Sequence, residues 1–560
     1  MPEIVVVGGV ATGPKTAARL RRLDPEASIT LVERQSLTSY AGCGIPFYLE
    51  GAVGEWEELL GGATPRDATY FKERKGVQVY TETEATSIDR EQKTVAIRDL
   101  RTGTTRKLEY DYLVLATGAR PLIPPIEGID LEGVHTLHTP LDALEVTKEV
   151  EEGYRNIAIV GGGLIGVEAA GALLKKGCKV SILEMMPNLV PGILDPELAL
   201  LLENHLKANG VGVYTGEPVT SLEGEGGRVS SVETRGGRRI QADMVLVCVG
   251  VRPNVELAVA AGLETGPTRA IAVNERLQTS DPAIYAGGDC VENLHLVTGE
   301  KVYAPLGSTA NKHGRVIADN IAGIPSTFPG VCGTTVFKSL GYNCGATGLT
   351  EGKAREKGFD AISVLVPRYD IPSYMPGAAR VFLKLVAERG TGRILGLQGV
   401  GPGEVVKRVD VAATAISMKA TLEQVANMDL GYAPPYSTAQ DALAHAANTL
   451  DNKIKGIAHG LNPRDLKAKL DSGEDMVILD VRSRAEYQER RLHDARVVNI
   501  PLTELKARAG EIPQGKPIVT VCAIGVRAYE AERVLRGLGW RDVWFLEGSM
   551  EAWPYPQYLE

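Results

Sequence analysis

Two copies of one strand–turn–helix pattern constrain the fold of this chain more than any other feature. The first copy begins at Ile4 and the second at Ile157; each has four apolar residues, a glycine-containing turn and a stretch rich in alanine and leucine. Such a unit predicts a parallel strand followed by a helix, whose N-terminus presents backbone N–H groups and a positive dipole end to a phosphate. We therefore predict an α/β fold with two nucleotide-binding sites.

The first copy contains an imperfect glycine fingerprint of the dinucleotide-binding type. Its turn reads VVVGGVATG over residues 5–13, with Val10 where the fingerprint GxGxxG has its middle glycine. A glycine turn alone could be structural, but Glu33 ends the next predicted strand 20 residues after Gly13, where a carboxylate can bind ribose hydroxyls. The residues predicted to bind this nucleotide are Gly8, Val10, Ala11, Gly13, Glu33 and Arg34.

The second copy carries the intact fingerprint, and Glu184 ends the strand that follows it, 18 residues after Gly166. A carboxylate there favours the free 2′-hydroxyl of NADH, whereas NADPH would be better served by an arginine, and Met185 and Met186 supply none. We predict NADH, with NADPH as the alternative. The same pattern explains why the apolar stretch 157–174 imitates a membrane span. The binding residues predicted here are Gly161, Gly163, Ile165, Gly166 and Glu184.

Composition and charge argue against several other classes of protein. The net charge is -9 without any basic run, which argues against a nucleic-acid partner. The seven cysteines are scattered and form no CxxC pair, so the sequence indicates neither a disulfide scaffold nor a zinc site. The N-terminus enters a predicted strand at once, without the pattern of a signal peptide. We expect a soluble cytoplasmic protein with no metal and no membrane partner.

Two later segments indicate which nucleotide the first copy binds. One reads LVLATGA over residues 113–119, and the other reads TSDPAIYAGGD over residues 279–289. With the first glycine turn, they resemble the paired motifs of the FAD- and NAD(P)-dependent disulfide reductases. In that family the aspartate that matches Asp289 hydrogen-bonds the ribityl chain of FAD. The resemblance implies FAD as a cofactor, with Thr117 and Gly118 among its binding residues, and we predict Gly250 as a further cofactor-binding residue.

One cysteine, Cys43, stands in the turn SYAGCGIP over residues 39–46. A thiol at a helix N-terminus against an oxidised flavin would have a lowered pKa and would be a thiolate near neutrality. The alternative is a small buried apolar residue, although the flanking glycines and proline favour a turn that exposes the sulfur. Reductases of the glutathione and lipoamide type have a second cysteine where this chain has Tyr48, and a histidine that residues 429–436 lack. The sequence therefore predicts chemistry with one thiol.

The C-terminal segment carries a second candidate sulfur site. The segments VILDVR (477–482), NIPL (499–502) and CAIGVR (522–527) resemble a rhodanese domain. A short loop after Cys522 would aim N–H groups at a thiolate or persulfide, and Arg527 would add positive charge. Phosphatases of related fold have one more residue between cysteine and arginine, and a purely structural domain is the other alternative. The spacing favours sulfur transfer.

The cysteine turn, the YAPP segment at 432–435 and the rhodanese-like tail together resemble coenzyme A-disulfide reductases in their rhodanese-fused form, also described as NADH-dependent persulfide or polysulfide reductases. The resemblance covers essentially the whole chain. It implies that Cys43 forms a mixed disulfide with coenzyme A, and that two tyrosines, Tyr374 and Tyr432, approach this sulfur from a partner subunit. It also implies coenzyme A contacts at Lys15, Arg19, Arg22, Ser39 and Lys75.

Two departures from that family bear on substrate selection. Gly42 stands where the family commonly has asparagine, and Met375 replaces the second tyrosine of a paired motif. Both changes are expected to loosen the selection of the coenzyme A part of the substrate. Arg19 and Arg22, taken without the resemblance, would be read as the solvated face of a helix.

The predicted architecture is two Rossmann-like nucleotide-binding domains, an α+β dimerisation domain and a C-terminal α/β rhodanese domain. The FAD-binding domain is expected over 1–110 and 248–325, and the NAD(P)H-binding domain with its connecting segment over 111–247. The dimerisation domain is expected over 326–445, a linker over 446–460 and the rhodanese-like domain over 461–560. By resemblance, we expect a homodimer.

The hypothesis is that NADH supplies electrons through FAD, and that Cys43 attacks a sulfur–sulfur bond of a disulfide, persulfide or polysulfide. Cys522 would collect or deliver sulfane sulfur, helped by a flexible linker. An NADH oxidase or peroxidase with a cysteine sulfenic acid is the main alternative. A flavin-loaded binding protein and a membrane-associated sulfide:quinone oxidoreductase are weaker alternatives, because the latter needs two reactive cysteines and an amphipathic anchor.

Overall fold

The computed structural model describes residues 2–62 and 64–560, and these form two compact units. Of the described residues, one unit comprises 2–62, 64–185 and Glu217–Val331, and the other comprises Met186–Gly216 and Cys332–Glu560. The first unit contains both glycine turns and Cys43. The second contains the predicted dimerisation and rhodanese-like domains.

A five-stranded parallel sheet holds the first glycine turn. Its strands are rich in β-branched residues, which favour extended backbone. One face of the sheet packs on the helices Thr12–Leu23 and Gly307–Ile321, and the other packs on the antiparallel strand Thr94–Asp99 and the helix Glu256–Ala260. Their order is Ile284–Ala286, Tyr112–Leu115, Glu3–Val7, Ser28–Val32 and Gln78–Tyr80. The strand Tyr112–Leu115 falls in the range expected for the second nucleotide domain, but it pairs with Glu3–Val7. The predicted boundary at 110/111 therefore divides one sheet.

A second parallel sheet holds the second glycine turn. In this unit its strands follow the order Lys179–Glu184, Asn156–Val160, Met244–Val247 and Val134–Thr136. The apolar stretch 157–174 is a strand and a helix joined by the glycine turn, as predicted. Among the described residues, none of the helices has the length and apolar character needed to cross a bilayer.

The remaining elements of the first unit are helices and short antiparallel strands. The helices are Thr12–Leu23, Ile45–Glu50, Ala68–Lys75, Pro140–Glu151, Leu164–Lys175, Glu256–Ala260 and Gly307–Ile321. The antiparallel strands are Thr83–Asp89, Thr94–Asp99, Thr105–Glu109, Ala119–Pro121, Val219–Glu225, Arg228–Thr234, Arg239–Gln241, Val251–Pro253, Asn293–Leu294 and Lys301–Val302.

The second unit contains a five-stranded antiparallel sheet, as the alternating sequence pattern predicts. Its strands follow the order Thr335–Ser339, Tyr342–Gly348, Ile394–Gly401, Arg380–Glu388 and Ala361–Tyr369. The last strand is at the edge, and Tyr369 lies opposite Arg380 in the neighbouring strand. The other elements here are the strand Gly212–Thr215 and the helices Pro196–Ala208, Glu351–Glu356, Val406–Ser417, Leu422–Ala426 and Ala442–Ile454.

The C-terminal part of this unit is a five-stranded parallel sheet with helices around it. The strand order is Gly460–Leu461, Val543–Leu546, Ile518–Val521, Val477–Asp480 and Val497–Asn499. The helices are Pro463–Asp471, Arg484–Glu489, Leu502–Arg508 and Val526–Gly537. This order places the residue after Ile518–Val521, Cys522, at the carboxyl end of a central strand, where α/β folds build their sites.

The expected flexible linker over 446–460 is wrong for most of its length. The helix Ala442–Ile454 covers it and buries Ala446, Ala447 and Leu450, while its polar residues lie on the other face. Near its end, Lys453 Nζ contacts Glu547 Oε1 at 2.5 Å. Polar composition misled the prediction, because an amphipathic helix and a linker can have the same residue content.

Candidate functional site

The first glycine turn is built so that its backbone stays open to a ligand. Gly8 has φ of +113°, and a Cβ there would lie 2.0 Å from the carbonyl oxygen of Ala116, so only glycine fits. A Cβ on Gly13 would lie 1.9 Å from the carbonyl oxygen of Gly8, which permits the close strand–helix packing of the fingerprint. Val10 occupies the middle position without disturbing either contact. The turn leads into the helix Thr12–Leu23.

Glu33 lies against this turn. Its carboxylate accepts hydrogen bonds from the backbone N–H of Gly9 at 2.6 Å and of Gln35 at 2.8 Å. Burial raises the pKa of Glu33, although these bonds favour its charged form. Arg34 beside it is exposed. The carboxylate is thus fixed next to the helix N-terminus, where it can meet a ribose.

The second glycine turn repeats this geometry. The N–H of Gly162 donates to Glu184 Oε2 at 2.7 Å, and a Cβ on Gly161 would lie 2.5 Å from the carbonyl oxygen of Cys248. A Cβ on Gly163 would meet no atom within 4 Å among the described residues, which leaves space for a phosphate above the helix Leu164–Lys175. Ile165 is partly exposed beside it. The site has the acidic residue expected for NADH.

The surroundings of Asp289 show whether the first site fits FAD. Its Oδ1 is buried and has no hydrogen-bond partner in the described part of the chain, and burial raises the pKa of this carboxyl to about 6. A buried acceptor without a donor is costly, and a hydroxyl of a bound ligand would satisfy it. The ribityl hydroxyls of FAD are such donors. The residues present therefore fit FAD.

The two remaining predicted FAD residues lie in a neighbouring turn. Thr117 Oγ1 donates to the carbonyl oxygen of Asn254 at 2.7 Å, and the N–H of Asn254 donates to the carbonyl oxygen of Gly118 at 2.9 Å. Gly118 and Gly250 both have positive φ, +64° and +109°. Sequence analysis does not identify Asn254, because no motif links it to Thr117, 137 positions away.

Cys43 is exposed in a short 3₁₀ turn, Gly42–Gly44, that continues into the helix Ile45–Glu50. The predicted turn that exposes the sulfur is therefore present. A Cβ on Gly307, the first residue of the helix Gly307–Ile321, would lie 3.8 Å from Cys43 Sγ. The sulfur thus faces the N-terminus of a 15-residue helix, a relationship that the sequence did not predict.

The protein's own groups raise the pKa of Cys43. Desolvation raises it, and the negative charges of Glu168 and Asp289 act in the same direction. The lowered pKa that we predict for Cys43 requires an oxidised flavin beside the thiol, and it stays a prediction. Asp289 connects the two predicted sites, because its charge reaches Cys43 and its free oxygen fits FAD. Glu168, inside the second glycine helix, was not predicted to act here.

The chain matches three protein families along its length. Residues 2–313 match the family described as pyridine nucleotide-disulphide oxidoreductase, residues 334–444 match its dimerisation domain, and residues 462–554 match the rhodanese-like domain. The chain belongs to the pyridine nucleotide-disulphide oxidoreductase family. It is an FAD- and NAD(P)H-dependent oxidoreductase, as predicted.

Three similar proteins illustrate the range of this family. A solved structure of a "NAD-Dependent Persulfide Reductase from A. fulgidus" is 46% identical with a TM-score of 0.94, and the match covers 98% of this chain and 100% of that one. An "NAD(P)H sulfur oxidoreductase (CoA-dependent)" of Pyrococcus abyssi is 37% identical over 80% of this chain and 98% of its own. An "NADH oxidase" of Methanocaldococcus jannaschii is 36% identical over 80% and 99%.

The basic residues predicted to contact coenzyme A lie partly on one helix of this oxidoreductase. Lys15, Arg19 and Arg22 are spaced along one face of Thr12–Leu23, and Lys15 and Arg22 are exposed. Arg19 is paired instead with Asp319 at 2.8 Å. Its charge is therefore already balanced, which the sequence could not indicate.

The other predicted contacts differ in their surroundings. Ser39 adopts φ of +54°, and its N–H donates to the carbonyl oxygen of Gly9, which ties the cysteine turn to the nucleotide turn. Lys75 ends the helix Ala68–Lys75 with its ammonium 5.6 Å from the ring of Tyr70. In the second unit, Tyr374 and Tyr432 are 72% and 53% exposed, as residues offered to another molecule would be.

Cys522 occupies the rhodanese-like loop and is buried. Its sulfur accepts a hydrogen bond from the N–H of Gly525 at 3.1 Å, and Gly525 has φ of +97° before the helix Val526–Gly537. The loop therefore aims an N–H at the sulfur, as predicted. Arg527, in contrast, makes a bidentate pair with Glu486 at 2.6 and 2.9 Å. Glu486 thus balances the positive charge of Arg527, which we predicted would stabilise the Cys522 sulfur. The same pair lowers the pKa of Glu486 to about 2.

Proposed function

We propose that this oxidoreductase uses NADH to reduce a coenzyme A disulfide, a coenzyme A persulfide or polysulfide through Cys43, with Cys522 as a carrier of sulfane sulfur. The observation that carries the proposal is the exposed sulfur of Cys43 at a helix N-terminus, where it interacts electrostatically with Asp289, the buried carboxylate that fits FAD. The similarity to a persulfide reductase extends over both nucleotide sites and the rhodanese-like domain. We place the enzyme in the cytoplasm as a homodimer.

FAD, when bound, accepts a hydride from NADH and delivers two electrons to a disulfide. The thiolate of Cys43 attacks one sulfur of the substrate, so that a new bond joins Cys43 to that sulfur and the other half leaves as thiolate or hydrosulfide. Two electrons then cleave the mixed disulfide, and this restores the Cys43 thiolate and releases the second half as a thiolate. The helix Gly307–Ile321 stabilises the negative charge that returns to the sulfur.

The basic residues supply the binding energy for the substrate's phosphates. Lys15 and Arg22 are exposed cations on the helix that follows the FAD turn, and coenzyme A carries phosphate groups that such cations bind. Tyr374 and Tyr432 of a partner subunit would donate their hydroxyl protons near the sulfur. Gly42 and Met375 leave more room than the family pattern, so that shorter persulfides and inorganic polysulfide also reach Cys43.

An NADH oxidase is the second candidate, because one relative with 36% identity carries that name. In that reaction Cys43 would cycle through a sulfenic acid, with oxygen or peroxide as the acceptor. The two functions share both nucleotide sites. Without oxygen, a sulfur reductase continues to consume NADH when a sulfur substrate is present, whereas an NADH oxidase stops.

Steady-state NADH consumption, measured in air and under anaerobic conditions, separates these candidates. We expect rapid anaerobic turnover with coenzyme A disulfide, coenzyme A persulfide or polysulfide, and slow turnover with oxygen or peroxide alone. The double variant Lys15→Gln, Arg22→Gln should raise KM for the coenzyme A substrates about tenfold or more and leave KM for polysulfide unchanged. Turnover that requires oxygen and ignores every sulfur substrate would refute the proposal.

A further inference from the structure

The segment 547–551 of the rhodanese-like domain supports the Cys522 loop directly. Ser549 Oγ accepts a hydrogen bond from the N–H of Cys522 at 3.2 Å, and the N–H of Met550 donates to the carbonyl oxygen of Cys522 at 3.1 Å. The N–H of Glu551 donates to the carbonyl oxygen of Ala523 at 3.0 Å. Any element that fixes this segment therefore also fixes the sulfur site.

The same segment is attached to the antiparallel sheet of the second unit. Glu547 Oε2 accepts a hydrogen bond from the N–H of Leu365 at 3.1 Å, at the open edge of the strand Ala361–Tyr369. Glu551 pairs with Arg380 at 2.8 Å, on the neighbouring strand. The Cys522 loop is thus held against the edge of a sheet that lies outside the rhodanese-like domain.

Most arginines near this loop are already balanced by carboxylates. Arg527 is paired with Glu486, Arg482 with Asp480 and Arg380 with Glu551. These ion pairs fix the positions of the three arginines, but the carboxylates balance the positive charge that would otherwise act on the Cys522 sulfur. A cation that faces Cys522 without a carboxylate partner would have to come from another residue.

Arg368 lies on the edge strand Ala361–Tyr369, close in sequence to Leu365, which anchors the loop segment, and its charge interacts with that of Cys522. Its Nη1 donates to the carbonyl oxygen of Pro367 at 3.0 Å, and it has no carboxylate partner among residues 2–62 and 64–560. Burial lowers the pKa of Arg368, Arg380 adds to this effect, and the charge of Cys522 opposes it. His445 nearby is neutral, since burial and Arg368 lower its pKa to about 4. A guanidinium remains charged under these conditions.

We propose that Arg368 completes the Cys522 site from outside the rhodanese-like domain and selects sulfur donors by their negative charge. The inference rests on the proposed role of Cys522 as a sulfur carrier. A guanidinium that lacks a carboxylate partner, on the strand that anchors the loop, attracts a donor whose transferable sulfur adjoins an anionic group. It also stabilises the persulfide anion that forms.

The reaction balances without any further oxidant or reductant. The Cys522 thiolate attacks the outer sulfur of thiosulfate, the sulfur–sulfur bond of thiosulfate breaks, and sulfite leaves with the electron pair of that bond. Cys522 is then a persulfide anion. Cyanide, added as the acceptor, attacks the outer sulfur and leaves as thiocyanate, and this restores the thiolate. Benzenethiosulfonate transfers its outer sulfur in the same way but carries one negative charge fewer.

The test measures thiocyanate formation by the full-length holoenzyme with each donor. We expect Arg368→Gln to raise KM for thiosulfate about tenfold and KM for benzenethiosulfonate by about threefold or less, because the dianion loses more attraction. Arg368→Lys should recover most of the affinity for thiosulfate. Arg389→Gln is the matched control, since Arg389 follows the neighbouring strand and pairs with Asp360 at 3.5 Å; it should behave as the unchanged enzyme.

Several results would overturn the inference. Equal effects of Arg368→Gln on both donors would show lost structure instead of lost charge, as would a failure of Arg368→Lys to recover activity. No effect of Arg368→Gln would remove its role altogether. Absence of thiocyanate formation by the unchanged enzyme, or its persistence in Cys522→Ser, would refute the role of Cys522. NADH-dependent reduction through Cys43, measured in the same preparations, reports separately on the proposed function.

Discussion

Cys43 Sγ faces Gly307, the first residue of the helix Gly307–Ile321, and the position of a Cβ on that glycine is 3.8 Å from the sulfur. Both residues are exposed, so a substrate can approach the sulfur along this side. The helix N-terminus offers unpaired N–H groups and a partial positive charge to the thiolate. This positive end opposes the negative charges of Glu168 and Asp289, which raise the pKa of Cys43.

Enlarging Gly307 should obstruct the approach to Cys43. Gly307→Ala places a methyl group in ordinary contact with the sulfur, and we expect kcat/KM for the sulfur substrate to fall by a factor of a few. Gly307→Val fills more of the same space and should cost about tenfold or more. FAD content and the rate of flavin reduction by NADH should not change. Equal kcat/KM in all three proteins would contradict this role.

FAD affinity should depend on pH through Asp289. Burial raises the pKa of this carboxyl to about 6, and a ribityl hydroxyl that donates to it favours the charged form, so that its pKa falls when FAD binds. Binding then has to remove a proton below about pH 6, and the affinity should decrease by up to tenfold per pH unit there. Above that pH the affinity should be flat.

Titration of the apoprotein with FAD at several pH values checks this prediction. Asp289→Asn keeps an acceptor oxygen but cannot titrate, so its affinity should lose most of the pH dependence. Glu33 is present in both proteins, and any effect of its own titration therefore cancels in the comparison. Parallel pH profiles for the two proteins would rule out Asp289 as the titrating group.

Preference for NADH over NADPH should depend on the surface beside Glu184. Met185 is 66% exposed next to this carboxylate, where an arginine could reach a 2′-phosphate. We expect Met185→Arg to raise the ratio of kcat/KM for NADPH to that for NADH by about tenfold or more. Met185→Gln, of similar size without charge, should leave the ratio close to that of the unchanged enzyme; a shift of equal size there would assign the effect to shape.

A buried cluster around Lys384 should dominate the stability of the second unit. Its Nζ contacts Asp195 at 2.9 Å, Glu197 at 2.5 Å and Glu351 at 3.0 Å, and all four side chains are buried. Lys384→Met leaves these carboxylates without their cation, and we expect a loss of about 3–5 kcal/mol in the free energy of unfolding.

Denaturant unfolding of the holoprotein measures that loss. Lys455→Met is the matched control, because Lys455 forms an exposed pair with Asp451 within one helical turn, and such pairs contribute little. A shift of the unfolding midpoint in the Lys384 variant no larger than in the control would show that the cluster is not required.

The sequence predicted those parts of the molecule that local rules determine. Both glycine turns and both acidic strand ends follow from fixed spacings within one supersecondary unit, and the structure has Gly9 and Gly162 hydrogen-bonded to them. The edge strand Ala361–Tyr369 was likewise visible as an alternating pattern.

Contacts between distant segments could not be predicted in this way. Arg19 is paired with Asp319, 300 residues away, and no spacing rule connects them. The sequence predicts a linker over 446–460, where the structure has most of the helix Ala442–Ile454, because the burial of one helix face depends on its packing partners. The effect of Glu168 and Asp289 on the pKa of Cys43 could not be predicted for the same reason, since both residues approach it only in three dimensions.

Anaerobic stopped-flow reduction of the Cys43→Ser variant, with Cys178→Ser as the control, tests the central claim most directly. In the variant, NADH should still bleach the flavin, but addition of coenzyme A disulfide or persulfide should neither reoxidise it nor release a thiol, because no thiolate remains to accept the substrate sulfur. Cys178 is buried, and its variant should turn over normally. Flavin reoxidation and thiol release by Cys43→Ser at an undiminished rate would contradict the account.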